Sequence, residues 1–318
     1  MVFKHATAIG PARPREQDIS ELGNGMPMPN KIRLGLLQMA MRPKASQNLE
    51  HACAMTAEAA AGGAEICCLP ELFLTPYFAR EPLVEPFDAT DVSVRIPGEV
   101  TERLSRCAKD NRVVLVAGSV YERSGGKLFN TALVFDENGR ILGKYRKTHI
   151  PHDESYYEQH YFAPGDTGFK VFRTKKAKIA VLICYDQWFP EAARCVALEG
   201  ADLVFYPTAI ANVKGIEQAE GKWQRAWEDV MRGHAISNNL IVAAVNRSGK
   251  EGEMRFWGGS FACDAFGGTI KRASSKEQVL LVDVDLDHSR MVREGWRFFR
   301  NRRPECYRDI VDKKDREG

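Results

Sequence analysis

The stretch KIAVLICYDQWFPEAAR, residues 178–194, decides how this chain is read. Ile179 to Ile183 form a short aliphatic run of the kind that fills a buried strand. Asp186 suits a helix cap, and Pro190 and Glu191 suit a first helical turn. The spacing therefore predicts a strand over 178–183 and a helix over 187–199, ended by Gly200. Cys184 sits on the sharp turn between them, with its sulfur at the carboxyl edge of a sheet. Backbone N–H groups of the helix start would face that sulfur and favour a thiolate. A lone cysteine in such a place is commonly an inert packing residue, so its company elsewhere in the chain carries the argument.

Working outward, the same grammar repeats. Strands are expected at 31–39, 65–69, 113–120, 201–206 and 240–245. Helices are expected at 47–61, 99–111 and 223–238. Glu137-Asn138-Gly139 reads as a hairpin turn between strands 130–135 and 141–146. Shorter strands at 259–264, 269–272 and 279–284 close the chain. Alternating helices and strands with intervening hairpins predict an α/β fold, sheets inside and helices outside. With 318 residues and 44% hydrophobic content the chain can bury a large core, and no linker or solenoid repeat divides it.

Two further groups stand at predicted strand ends. Glu71, in CLPELFL, follows a strand stopped by Pro70. Lys147, in GKYRKTHIP, follows the strand begun at Ile141. Each alone reads as an ordinary surface charge. With Cys184 they make an acyl-transfer set: a carboxylate to move protons, a thiol to attack a carbonyl, an ammonium to hold the oxyanion beside the Tyr185 N–H.

At this point the chain resembles the nitrilase superfamily, the carbon–nitrogen hydrolases. The resemblance rests on CLPEL at 68–72, YRKTHIP at 145–151 and LICYDQWFPEAAR at 182–194, and continues through FYPTA at 205–209, AVNRSG at 244–249 and GGSF at 258–261. It implies a four-layer α-β-β-α sandwich over residues 31–308, flanked by an N-terminal extension (1–30) and a C-terminal tail (309–318). It also implies a Glu71, Lys147, Cys184 triad, a second active-site glutamate best matched by Glu158 with Glu154 as a rival, and homodimers or larger homo-oligomers. No cofactor or metal is expected, and His149-x-x-His152 reads as loop structure.

Substrate preference is read from the residues after Cys184. No arginine precedes Arg194, whereas relatives acting on N-carbamoyl amino acids place arginines there for the substrate carboxylate. Asp186, Trp188 and Glu191 instead suggest an acidic, aromatic pocket for an ammonium-bearing ureido compound. CYDQWFPEAAR, FAPGDTGFKVF and FYPTAI resemble members acting on N-carbamoylputrescine. Tyr77, Thr208 and Ala209 are further candidate contacts, as are Glu217, Glu220 and Trp223. The alternatives are an N-carbamoyl-amino-acid or β-ureidopropionate amidohydrolase, an aliphatic amidase, or a non-catalytic scaffold.

A net charge of +3 argues against a nucleic-acid or membrane partner. Eight cysteines without C-x-x-C spacing suggest free thiols in a reducing cytoplasm. No stretch reads as a membrane span, and the first 30 residues do not read as a secretory signal.

Overall fold

The computed structural model describes residues 31–83, 92–216 and 220–312. Its core strands are β1 (Lys31–Gln38), β2 (Ile66–Cys68), β3 (Val114–Ser124), β4 (Lys127–Phe135), β5 (Ile141–Arg146), β6 (Val171–Arg173), β7 (Lys178–Val181), β8 (Leu203–Thr208), β9 (Ala211–Val213), β10 (Ile241–Asn246), β11 (Ser248–Glu251), β12 (Met254–Trp257), β13 (Phe261–Cys263), β14 (Thr269–Arg272) and β15 (Gln278–Asp285). The longer helices are α1 (Ala45–Ala61), α2 (Glu99–Asn111), α3 (Pro190–Leu198), α4 (Trp223–Asn238) and α5 (Leu286–Trp296).

These elements make the expected α-β-β-α sandwich. One sheet runs β15-β1-β2-β3-β4-β5 and the other β14-β13-β10-β8-β7-β6; β11-β12-β9 form a small third sheet. Each large sheet is parallel at its centre (β1, β2, β3; β7, β8, β10) and antiparallel at its flanks. Strands buried on both faces need apolar residues at every position, and the sequence supplies them. In β3, Val114 and Val116 face the second sheet while Leu115 and Ala117 face α1 and α2; in β4, Ala132 and Val134 alternate with Leu133 and Phe135 in the same way. Burying each valine, leucine or phenylalanine among these contributes about 1.5–3 kcal/mol. Helices α3 and α4 cover the outer face of the second sheet through Val196, Trp227, Met231 and Ala235. Gly35 lets α1 lie directly on β1: a Cβ there would stand 2.9 Å from the Ala59 Cβ.

Two expectations need correction. Helix α3 begins at Pro190, after a 3-10 turn over Cys184–Trp188, and its N-cap position is Phe189, so Asp186 does not cap it. Strand β3 runs on to Ser124, through a bulge between Ala117 and Val120 that no local pattern announces. All eight cysteines are free, as read from their spacing; Cys195 and Cys306 are exposed and the other six buried. The extension at 1–30, Glu217 and residues 313–318 of the tail lie outside the described residues. Among the described residues, no helix is long and apolar enough to cross a membrane.

Candidate active site

The carboxyl ends of strands from both sheets converge on one point. Strand β7 delivers Cys184, whose φ of 44° lies in the left-handed region. For a residue with a Cβ that costs on the order of 1–2 kcal/mol, and Asp186 holds the turn in place. Its Oδ2 accepts the Ile183 N–H (2.8 Å) and the Tyr145 hydroxyl (2.8 Å), and its Oδ1 accepts the His149 N–H (3.0 Å). His149 Nδ1 lies 2.7 Å from the same oxygen, and its ring stacks on Phe189 at 3.7 Å.

From the first sheet, the loop after β2 brings Glu71 and the end of β5 brings Lys147, both fully buried. Lys147 Nζ donates to Glu71 Oε1 (2.8 Å) and to both oxygens of Glu158 (2.9 and 2.7 Å). Asn130 Nδ2 also donates to Glu71 Oε1 (2.8 Å), and its carbonyl accepts the Lys147 N–H (2.8 Å). Glu71 Oε2 is buried with no hydrogen-bond partner among the described residues, leaving one lone-pair face for a reacting proton. Tyr77 donates its hydroxyl to Glu158 Oε1 (2.7 Å).

The electrostatics separate the four groups. Burial disfavours the Lys147 ammonium, but the carboxylates of Glu158 and Glu71 outweigh it and hold Lys147 above the ordinary lysine range. Burial and the nearby Glu71 push Glu158 up to about 7, against the pull of Lys147 and Tyr77. Burial and Glu71 raise the Cys184 thiol well above its usual value, with Lys147 and the Ala209 N–H opposing. This overturns the expectation of a standing thiolate: at rest Cys184 is a thiol, and its proton must leave as the sulfur attacks.

Two glycines back the charged pair. A Cβ at Gly118, in the β3 bulge, would stand 2.0 Å from the Pro70 carbonyl oxygen, beside Glu71. A Cβ at Gly165 would stand 2.1 Å from the Arg146 carbonyl oxygen and 2.7 Å from that of Lys147.

Cys184 opens into a cavity of about 240 Å³, walled by Tyr156, Tyr185, Trp188 and Trp223, with Asp153 and Glu220 at its rim. Glu220 Oε2 accepts the Trp223 indole N–H (2.9 Å). A larger open groove, about 1190 Å³, is lined by other residues, Arg255 and Arg272 among them, and holds none of the four groups. Of the residues expected at the substrate, Trp188, Glu220 and Trp223 line the cavity. Asp186 is buried in its turn, Tyr77 is bonded to Glu158, and Glu191 is exposed on α3 outside the cavity. Thr208 donates to the Tyr206 carbonyl (3.0 Å), and Ala209 is a backbone neighbour of the sulfur. Glu154 is exposed, whereas Glu158 is buried on Lys147. Asn130, Asp153 and Gly165 carry no local sequence signal for their places here.

Comparison with known proteins identifies the family. The family model described as carbon–nitrogen hydrolase matches residues 33–294. The chain belongs to that family. It is 40% identical over 291 residues to an N-carbamoylputrescine amidase of Solanum lycopersicum, covering 88% of this chain and 95% of the relative. A citrullinase of Francisella tularensis is 37% identical over 287 residues, with 89% and 99% covered. Among solved structures, a carbon–nitrogen hydrolase from Helicobacter pylori G27 superposes with a TM-score of 0.83 at 36% identity, over 89% of this chain and 99% of that one. Like other carbon–nitrogen hydrolases of this kind, the protein is an enzyme acting on linear amides, similar to N-carbamoylputrescine amidases.

Proposed function

We propose that this enzyme hydrolyses the ureido group of N-carbamoylputrescine to putrescine, carbon dioxide and ammonia, as a step of polyamine synthesis. The observation that carries the substrate reading is the charge of the cavity over Cys184: two carboxylates, four aromatic rings and, among its described lining residues, no lysine or arginine. A substrate ammonium gains Coulomb and cation–π attraction there, and a substrate carboxylate meets repulsion.

The reaction runs through a thioester-type intermediate. Glu71 Oε2 takes the Cys184 proton as the sulfur bonds to the ureido carbon, with Lys147 and the Tyr185 N–H facing the oxyanion. The carbon–nitrogen bond breaks, and Glu71 returns the proton to the departing nitrogen, which leaves as ammonia. Water then gives a proton to Glu71 and its oxygen to the carbonyl carbon, the carbon–sulfur bond breaks, and Glu71 passes that proton to the departing sulfur, regenerating the thiol and the carboxylate. The released carbamic acid decomposes to amine and carbon dioxide. Glu158 keeps Lys147 placed and helps orient the water. The catalytic unit is residues 31–308, working as a homodimer or larger assembly in the cytoplasm.

The test is ammonia release from N-carbamoylputrescine, N-carbamoyl-β-alanine, citrulline and short aliphatic amides. The highest kcat/KM is expected for N-carbamoylputrescine. Preference for a substrate bearing a carboxylate would overturn the reading, and preference for citrulline would favour the ureido amino-acid alternative.

A further inference from the structure

Arg247 follows β10 and is fully buried, a costly place for a guanidinium that no solvent reaches. Its bonds do not go to the two large sheets. Nη2 donates to the carbonyls of Glu71 and Leu72 (both 2.8 Å), and Nη1 to the carbonyl of Thr75 (3.3 Å) and to Glu251 Oε1 (2.9 Å). Glu251, at the end of β11, places its other oxygen 2.5 Å from the Tyr77 N–H. Tyr77 in turn bonds Glu158. The ring of Phe256 lies 5.2 Å from the guanidinium carbon.

We propose that the Arg247–Glu251 ion pair is a positioning device for the catalytic carboxylates, held from the second half of the chain. Three of its bonds fix the backbone of residues 71–75, which must carry Leu72 at a left-handed φ of 47° to aim Glu71 at Lys147. The fourth contact, through Glu251 and Tyr77, sets the hydroxyl that Glu158 accepts. One buried pair thereby orients both carboxylates that grip Lys147. Packing alone does not require this, because an apolar side chain fills such a space without desolvating two charges. This inference rests on the proposed role of Glu71 as the base, and is independent of which substrate the enzyme takes.

The experiment compares Arg247→Lys and Glu251→Gln with the wild type. Turnover is followed on N-carbamoylputrescine, and the alkylation rates of Cys184 and exposed Cys306 by iodoacetamide are read by mass spectrometry. Misplacing the base by about 1 Å lowers kcat about 10²-fold. KM is expected to stay within about threefold, the pattern of a lost transition-state contact. Cys184 alkylation should slow along with kcat and Cys306 should not. Thermal unfolding and circular dichroism report whether each variant folds; Glu251→Gln keeps shape and volume, so it serves if Arg247→Lys does not fold. A folded Glu251→Gln enzyme with kcat and Cys184 alkylation within about twofold of wild type overturns the proposal. A wild type inactive on N-carbamoylputrescine overturns the substrate reading alone, because the alkylation comparison still decides this one.

Discussion

Replacing Gly165 by alanine tests whether the placement of Lys147 governs turnover. The added methyl carbon would lie 2.1 Å from the Arg146 carbonyl oxygen and 2.7 Å from that of Lys147. Both oxygens belong to backbone, so no flexible side-chain tip can swing away. Restoring a tolerable separation near 3.0 Å requires the end of β5 and the Gly165 loop to part by roughly 1 Å. Lys147 Nζ now stands 2.8 Å from Glu71 and 2.7 Å from Glu158, so the same displacement takes those bonds beyond hydrogen-bond range. Overpacking of this size costs about 1–3 kcal/mol of stability, which a protein of this length survives. Misplacement of a reacting group by about 1 Å costs about 10²-fold in rate. The assay is ammonia release for kcat and KM, with thermal unfolding in parallel. Gly233→Ala is the control: it lies in α4 with nothing within 4 Å of the new methyl, and should leave kcat unchanged. A Gly165→Ala enzyme with kcat within about threefold of wild type would refute the reasoning.

Other outcomes follow from the site. Cys184→Ser should unfold at nearly the wild-type temperature yet lose at least about 10³-fold in kcat, since a buried hydroxyl is a far weaker nucleophile than a thiol; ordinary turnover would remove Cys184 from the mechanism. Glu220→Gln should raise KM for N-carbamoylputrescine about five- to tenfold at unchanged kcat, and should not raise KM for a neutral amide such as butyramide; equal effects on both substrates would exclude an ammonium contact. With Glu158 raised to about 7, activity should fall as pH drops through about 7 and the carboxylate gains its proton. Tyr77→Phe removes a bond that favours the ionised form, so the acid limb should move to higher pH; a pH–rate profile with an unmoved limb would show that Glu158 does not set it.

The layered fold could be read from the sequence because its strands are buried on both faces, and continuous runs such as VVLVAGSV and LIVAAV record that directly. Glu71 and Cys184 were legible for a related reason: each follows an apolar run whose end places it at the sheet edge, while Lys147 follows the strand after the Glu137-Asn138-Gly139 hairpin turn. Asp186 misled because an acid three residues past the predicted strand and four before a proline looks like a cap, while its partners Tyr145 and His149 come from the end of β5 and the loop after it. Arg247 could not be assigned a role because a single arginine after a strand gives no hint that its five donors turn inward. Of the cavity's two acids, Glu220 is a candidate from the sequence, whereas Asp153 comes from a different segment with no local signal for its place. Gly118 and Gly165 belong to the same class of long-range information: only the approach of another segment tells why a side chain is forbidden there.

Cys184 hangs from one sheet of the sandwich, while Glu71 and Lys147 hang from the other. Turnover is therefore a gauge of how tightly the two sheets are closed on each other. Conditions that loosen the interior while sparing the hydrogen-bonded strands should silence the enzyme with its far-ultraviolet dichroism still intact. Catalysis then becomes a more sensitive reporter of a loosened core than any measure of secondary structure.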